Sequence, residues 1–142
     1  MKILGVMSVL LIYTLVLLAV FLLQRKMLYF PAHHTREQQE QMLAGLNLQA
    51  WPSVDYVHGV ISSIPLPDVK GTVLVFHGNA GAALHRAYYI EALQRLGYRV
   101  IVAEYPGYGT RNGSPSEEVL VEDGIATAKR VWDEFKGPLF LC

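Results

Sequence analysis

From Ile3 to Leu23 the chain carries no charge, and Ser8, Tyr13 and Thr14 are the only polar side chains of the run. As a helix this stretch spans about 30 Å, the thickness of a bilayer's hydrocarbon core. The pattern predicts a membrane-spanning helix. The run is longer than the apolar core of a typical signal peptide, and no A-x-A cleavage site precedes Gln24, so an uncleaved anchor is expected. Lys2 precedes the run while Arg25 and Lys26 follow it, a near balance that leaves the orientation open.

Beyond the anchor the periodicity changes. Met27-Leu28-Tyr29-Phe30-Pro31 places two aromatics where a chain leaves the headgroup region. Thr35 with Gln38 three residues later is a capping-box pattern, and it predicts a short helix to about Leu46. Val54, Tyr56 and His58, then Val60, Ile61 and Ile64, form two alternating runs that read as a hairpin turning near Gly59. Thr72 to Phe76 is a continuous apolar run rich in β-branched residues, the signature of a strand buried on both faces. A helical pattern follows from Ala82 to Leu96, with Gly97 where a terminating glycine is expected. Arg99 to Ala103 is a second buried strand. Ser114-Pro115-Ser116-Glu117 then reads as a helix start with Ser114 as N-cap, Pro115 at the first position and Glu117 at the third. Val121, Ile125, Ala128, Val131, Trp132 and Phe135 give that helix an apolar face, and Leu139 to Cys142 begins a third strand. Strand, helix, strand, helix, strand in this order implies a parallel sheet with right-handed crossovers.

Composition narrows the function. Lys plus Arg and Asp plus Glu are 12 each, for a net charge of zero, so no basic footprint for nucleic acid exists. A single cysteine, Cys142, excludes an internal disulfide and any cysteine-cluster metal site. His33 and His34 are adjacent and therefore diverge, with no third ligand at suitable spacing, so they read as a solvated pair and no metal or cofactor is expected. Gly78-x-x-Gly81 after a strand hints at a nucleotide loop, but G-x-G-x-x-G and a Lys-Ser/Thr pair are both missing.

His77-Gly78-Asn79-Ala80-Gly81 directly after the Thr72 strand resembles the oxyanion turn of the α/β-hydrolase superfamily. With Leu28-Tyr29-Phe30-Pro31 and Glu104-Tyr105-Pro106-Gly107-Tyr108-Gly109, the chain resembles the single-pass membrane branch of that family, the serine-aminopeptidase-like and lysophospholipase-like hydrolases. The resemblance implies an α/β fold in which an N-terminal transmembrane helix precedes the first half of a hydrolase sheet: a β-hairpin, then β-α-β-α-β. It implies an anchor over residues 1–26 that meets the lipid bilayer through residues 3–23. A juxtamembrane segment with a short helix over 27–52 and a partial hydrolase domain over 53–142 complete the division. It also implies that the backbone N–H of Asn79, with Ala80 beside it, is an oxyanion donor. His77, Gly78 and Gly81 support that loop, Glu104 orders a neighbouring loop, and Tyr105, Tyr108 and Arg111 are candidates for the pocket rim.

An acyl-transfer hydrolase of this family also needs a nucleophile in G-x-S-x-G and a later acid and histidine. Ser8, Ser53, Ser62, Ser63, Ser114 and Ser116 all lack that motif. The resemblance places the elbow immediately after Leu139 to Cys142, beside the Thr72 strand in mid-sheet, with the terminal carboxylate near the core. The expectation is thus the N-terminal part of a membrane-anchored serine hydrolase for ester, thioester or amide substrates with an apolar portion. The alternative is a non-catalytic, membrane-tethered remnant that associates with another chain. An open sheet edge and a charge near the core both oppose independent folding. The soluble part, residues 24–142, is therefore expected not to melt cooperatively as a monomer, which calorimetry together with sedimentation would check.

Overall fold

The computed structural model describes residues Lys2 to Cys142 as two compact units, one up to Phe30 and one over Pro31–Cys142. The first is helix α1, Lys2–Leu28. Its apolar side chains point outward all round, and Arg25 and Lys26 occupy the last turn. Two of its hydroxyls bond within the helix: Ser8 Oγ donates to the Leu4 carbonyl and Thr14 Oγ1 to the Leu10 carbonyl, each at 2.9 Å. Such back-bonding satisfies both hydroxyls without water. With a mean hydropathy of 2.9, the helix is long and apolar enough to cross a membrane.

The second unit is a mixed α/β fold. Helix α2, Arg36–Gly45, starts at the anticipated capping box: Thr35 Oγ1 accepts from the Gln38 N–H at 3.2 Å, and Gln38 Oε1 accepts from the Thr35 N–H at 2.9 Å. Strands β1 (Leu48–Pro52), β2 (Val57–Ser62), β3 (Gly71–Phe76), β4 (Tyr98–Ala103) and β5 (Leu139–Leu141) form one sheet in the order β1-β2-β4-β3-β5. The β1/β2 and β2/β4 pairs are antiparallel, whereas β3 runs parallel to both β4 and β5. Side chains alternate across β3 and β4. Val73, Val75, Val100 and Val102 face one layer with Leu43, Leu84 and Ile90, while Leu74, Ile101 and Ala103 face the other with Trp51 and Val131. The first layer belongs to α2 and α3 (Ala87–Gln94), the second to α4 (Glu117–Glu134).

Several expectations shift. The hairpin turns at residues 53–56, and Gly59 lies inside β2. A Cβ on Gly59 would stand 2.5 Å from the Val102 carbonyl oxygen, so this glycine permits close strand approach rather than a turn. Strand β1 also brings residues 48–52 into the sheet. The helical pattern from Ala82 opens as a 3-10 turn, Ala83–Arg86, before α3. Ser116, not Ser114, caps α4, accepting from the Val119 N–H at 3.4 Å. Strand β5 does pair with β3, Thr72 opposite Leu139, but its far side meets no strand among the described residues and Cys142 is exposed rather than buried.

A buried polar cluster ties β2 to α4. His58 Nδ1 lies 3.2 Å from Thr127 Oγ1 and 3.8 Å from Asp123 Oδ1, the Tyr56 ring packs edge-on at 4.6 Å, and His58 Nε2 is buried without a partner. Burial first, then the charge of Arg111, holds the His58 pKa below its ordinary value; Asp123 opposes the shift and Arg130 adds to it. A histidine kept neutral by the fold binds protons more readily in the unfolded chain. Stability is therefore expected to fall as pH drops below the unfolded value of about 6.5. Thermal unfolding of the full chain in lipid nanodiscs across that range checks this, and His58→Gln should flatten the slope.

Candidate functional site

Register creates the site. Phe76 pairs with Ala103 at the carboxyl ends of β3 and β4, so the next residues of each chain segment, His77 and Glu104, become neighbours. From here the connections part. The chain leaving β3 passes to the α3 layer, and the chain leaving β4 passes to the α4 layer. A divergence of this kind at the carboxyl ends of parallel strands opens a crevice where ligands bind.

His77 Nε2 lies 3.1 Å from Glu104 Oε1, and both side chains are buried. The Ala83 N–H donates to both carboxylate oxygens at 3.1 Å. Glu104 thereby caps the 3-10 turn that no side chain of its own segment caps. On the other side of the ring, His77 Nδ1 lies 2.7 Å from the Gly78 carbonyl oxygen. A carbonyl only accepts, so Nδ1 carries a hydrogen. Nε2 faces the Glu104 carboxyl group, so both ring nitrogens are engaged.

Glycine is required at one point of this arrangement. Gly109 has φ +58° and would place a Cβ 2.3 Å from Glu104 Oε2. Any side chain there would strain the backbone and displace the carboxylate. The surrounding aromatics close the shell: Tyr105 at 4.5 Å and Tyr108 at 5.2 Å from the His77 ring, centroid to centroid.

The residues singled out in the sequence separate into groups. Gly78, Asn79 and Ala80 are exposed at the loop tip. Gly81 adopts φ +94°. Tyr108 is wholly buried, not on an open rim, and its hydroxyl donates to the Asn79 carbonyl at 2.8 Å. Arg111 turns toward α4, making two bonds of 2.7 Å with Asp123, and also donates to the Glu104 carbonyl. Tyr105 lines a groove of about 360 Å³, with Phe76, Leu120, Ile125 and Leu141 among its apolar walls. Burial, then the Asp123 charge, raises the Tyr105 pKa, so its hydroxyl stays protonated. Among the described residues no group of three or more His, Cys, Asp or Glu side chains is placed to hold a metal ion.

Sequence reasoning missed the segment Ala32 to His34. Its backbone joins both loops: the Ala32 N–H donates to the Gly81 carbonyl at 2.7 Å, the Gly109 N–H to the Ala32 carbonyl at 2.8 Å, and the His34 N–H to the Gly109 carbonyl at 3.0 Å. These are main-chain bonds over long separations, and no local residue pattern announces them.

Among curated proteins, the chain is 30% identical over 109 residues to lysophosphatidylserine lipase ABHD12 of Danio rerio, covering 66% of this chain and 27% of that protein. It is 32% identical over 120 residues to the uncharacterized protein Rv2307c of Mycobacterium tuberculosis, covering 77% of this chain and 39% of that protein. A shorter stretch of 55 residues is 40% identical to lysophosphatidylserine lipase ABHD12 of Gallus gallus, or 37% of this chain and 14% of that one. The chain thus spans well under half the length of these relatives. The similarities support a relationship to the α/β-hydrolase family. No family model and no solved structure matches the chain.

Removing the acceptor of a buried donor leaves that donor unsatisfied, at about 1–3 kcal/mol. Glu104→Leu, which strands the Ala83 N–H and a His77 ring nitrogen, is expected to lower the melting temperature of the full chain in lipid nanodiscs. Glu104→Gln should lie between it and the unsubstituted chain, because the amide still offers hydrogen bonds to Ala83 and His77. Differential scanning fluorimetry of the three proteins tests that order.

Proposed function

We propose that this chain carries the oxyanion loop of a membrane-anchored, single-pass α/β-hydrolase that cleaves ester, thioester or amide bonds. The observation that carries the reading is the His77–Gly78 hydrogen bond at 2.7 Å, backed by Glu104. A trans peptide sets its carbonyl and the following N–H in opposite directions. Holding the Gly78 carbonyl toward the His77 ring therefore turns the Asn79 N–H away from it, on a loop tip whose residues are exposed. A fixed N–H aimed where negative charge develops is what acyl transfer requires, and one such donor is worth about 3 kcal/mol in a complete site. His77 has both ring nitrogens committed and so acts as a support, not as the general base.

The sheet order, with β3 between two parallel neighbours, fits the first half of a hydrolase sheet. The apolar groove at Tyr105 fits a substrate with an apolar portion, and the names of the relatives make a single-chain phospholipid ester the first substrate to test. The nucleophile, acid and base of such a reaction are not among these 142 residues, so this chain alone is proposed to be inactive. A second reading, association with another chain, is favoured by one observation: Val121, Ile125 and Trp132 of α4 and Phe140 and Leu141 of β5 are all exposed.

A serine-directed fluorophosphonate probe tests the first reading. The 142-residue chain should not label, and a product of the same gene that extends into G-x-S-x-G should. Specific labelling of the 142-residue chain, or silence of the extended product, overturns it.

A further inference from the structure

Both loops of the site are fastened to one short stretch of chain outside the five-stranded sheet. On the loop after β3, the Gly81 carbonyl accepts from the Ala32 N–H at 2.7 Å. On the loop after β4, the Gly109 N–H donates to the Ala32 carbonyl at 2.8 Å, and the Gly109 carbonyl accepts from the His34 N–H at 3.0 Å. Gly109 is thus held at both of its backbone polar groups, and it is the residue whose missing side chain leaves room for the Glu104 carboxyl.

This stretch follows closely on the anchor. Helix α1 ends at Leu28, and Arg25 and Lys26 in its last turn suit the depth at which a spanning helix reaches the headgroups. A chain extends at most about 3.6 Å per residue, so Ala32 lies within roughly 14 Å of Leu28 however the two units are arranged. The polar layer of a bilayer is itself about 5–7 Å deep on each side. The site's loops therefore have little free chain by which to stand away from the headgroups. The other ends of the same strands are under no such limit: β3 runs six residues from Gly71 to Phe76, about 20 Å.

We propose that Ala32 to His34 form a strap that keeps the carboxyl end of the sheet on the membrane surface, so that the site meets its ligand among the headgroups of the leaflet in which α1 ends. The partner is a phospholipid surface, and the ligand class is an amphiphile already held in that surface, not a solute arriving from water. Tyr29, just before the strap, is a residue type that settles at this depth, with its ring in apolar surroundings and its hydroxyl in water. The inference rests on the membrane anchor of the reading above and not on its acyl chemistry.

The test is made on the full 142-residue chain, isotope-labelled and held in phospholipid nanodiscs that contain a lipid with a gadolinium chelate on its headgroup. Paramagnetic broadening falls steeply with distance. The amides of Gly81 and Gly109 should broaden about tenfold or more beyond those of Gly71 and Gly97, given the roughly 20 Å that the strands between them span. Equal broadening at the two ends, or the reverse order, overturns the proposal. A flexible Gly-Ser insertion after Tyr29 lengthens the tether without touching the strap, and it should shrink the difference; an unchanged difference overturns the strap's part in it. Should the lengthened chain fail to fold, the order found in the unsubstituted chain decides. Broadening at no residue would place α1 outside the bilayer and overturn the anchor together with this inference. Failure of the extended product to label would remove the hydrolase reading and leave the broadening pattern intact, so the two failures are distinguishable.

Discussion

A carboxylate buried at the end of a central strand is the constraint on which the rest of this site depends. Glu104 is 2% exposed, and a carboxyl group so placed is tolerated only when its oxygens are occupied. Its partners come from three places in the chain: the ring of His77, the N–H of Ala83 at the opening of the next helical segment, and the empty space left by Gly109. Satisfying one group therefore positions two loops and a helix start. Because His77 and Glu104 follow paired residues of adjacent parallel strands, the sheet register itself brings them together.

A buried polar pair is a weak device for stability, since well-packed apolar residues of like volume often serve as well. An apolar pair here would leave the Gly78 carbonyl and the Ala83 N–H without these partners. The pair is better understood as a means of orienting backbone. A second polar layer repeats the logic farther out. Arg111 binds the Glu104 carbonyl and Asp123 of α4, and Asp123 lies beside His58 of β2. The loop after β4 is thus held at Glu104 from within and at Arg111 from the α4 side.

How much of this was legible in the sequence depends on range. The buried strands were readable because β-branched runs such as Val73 to Val75 and Val100 to Val102 fit no other element in a parallel sheet. The cap at Thr35 was readable because both of its bonds lie within three residues. The start of α4 was misplaced because Ser114 and Ser116 both offer a cap, and the choice falls to packing: the Pro115 ring sits against Gly107, where a Cβ would come within 2.8 Å. Gly59 was misread as a turn because a glycine's need for room, set by a strand some forty residues away, looks in sequence like a need for a special φ. The clusters at His58 and at Ala32 to His34 join residues far apart in the chain, and single-sequence periodicity carries no such information.

The two faces of the sheet differ in a way that bears on the site. The α2 and α3 face is closed over Val73, Val75, Val100 and Val102. The α4 face is partly open, with Ile125 67% and Leu141 63% exposed beside the groove that Phe76 and Tyr105 line. The loop at His77 to Gly81 emerges where these faces meet, at the carboxyl end of a strand whose neighbours are both parallel to it. Under the hydrolase reading proposed above, a ligand reaching the loop along the open face would meet apolar walls first and the loop backbone at the end, so that apolar burial would draw in a chain before fixed dipoles acted on its polar head.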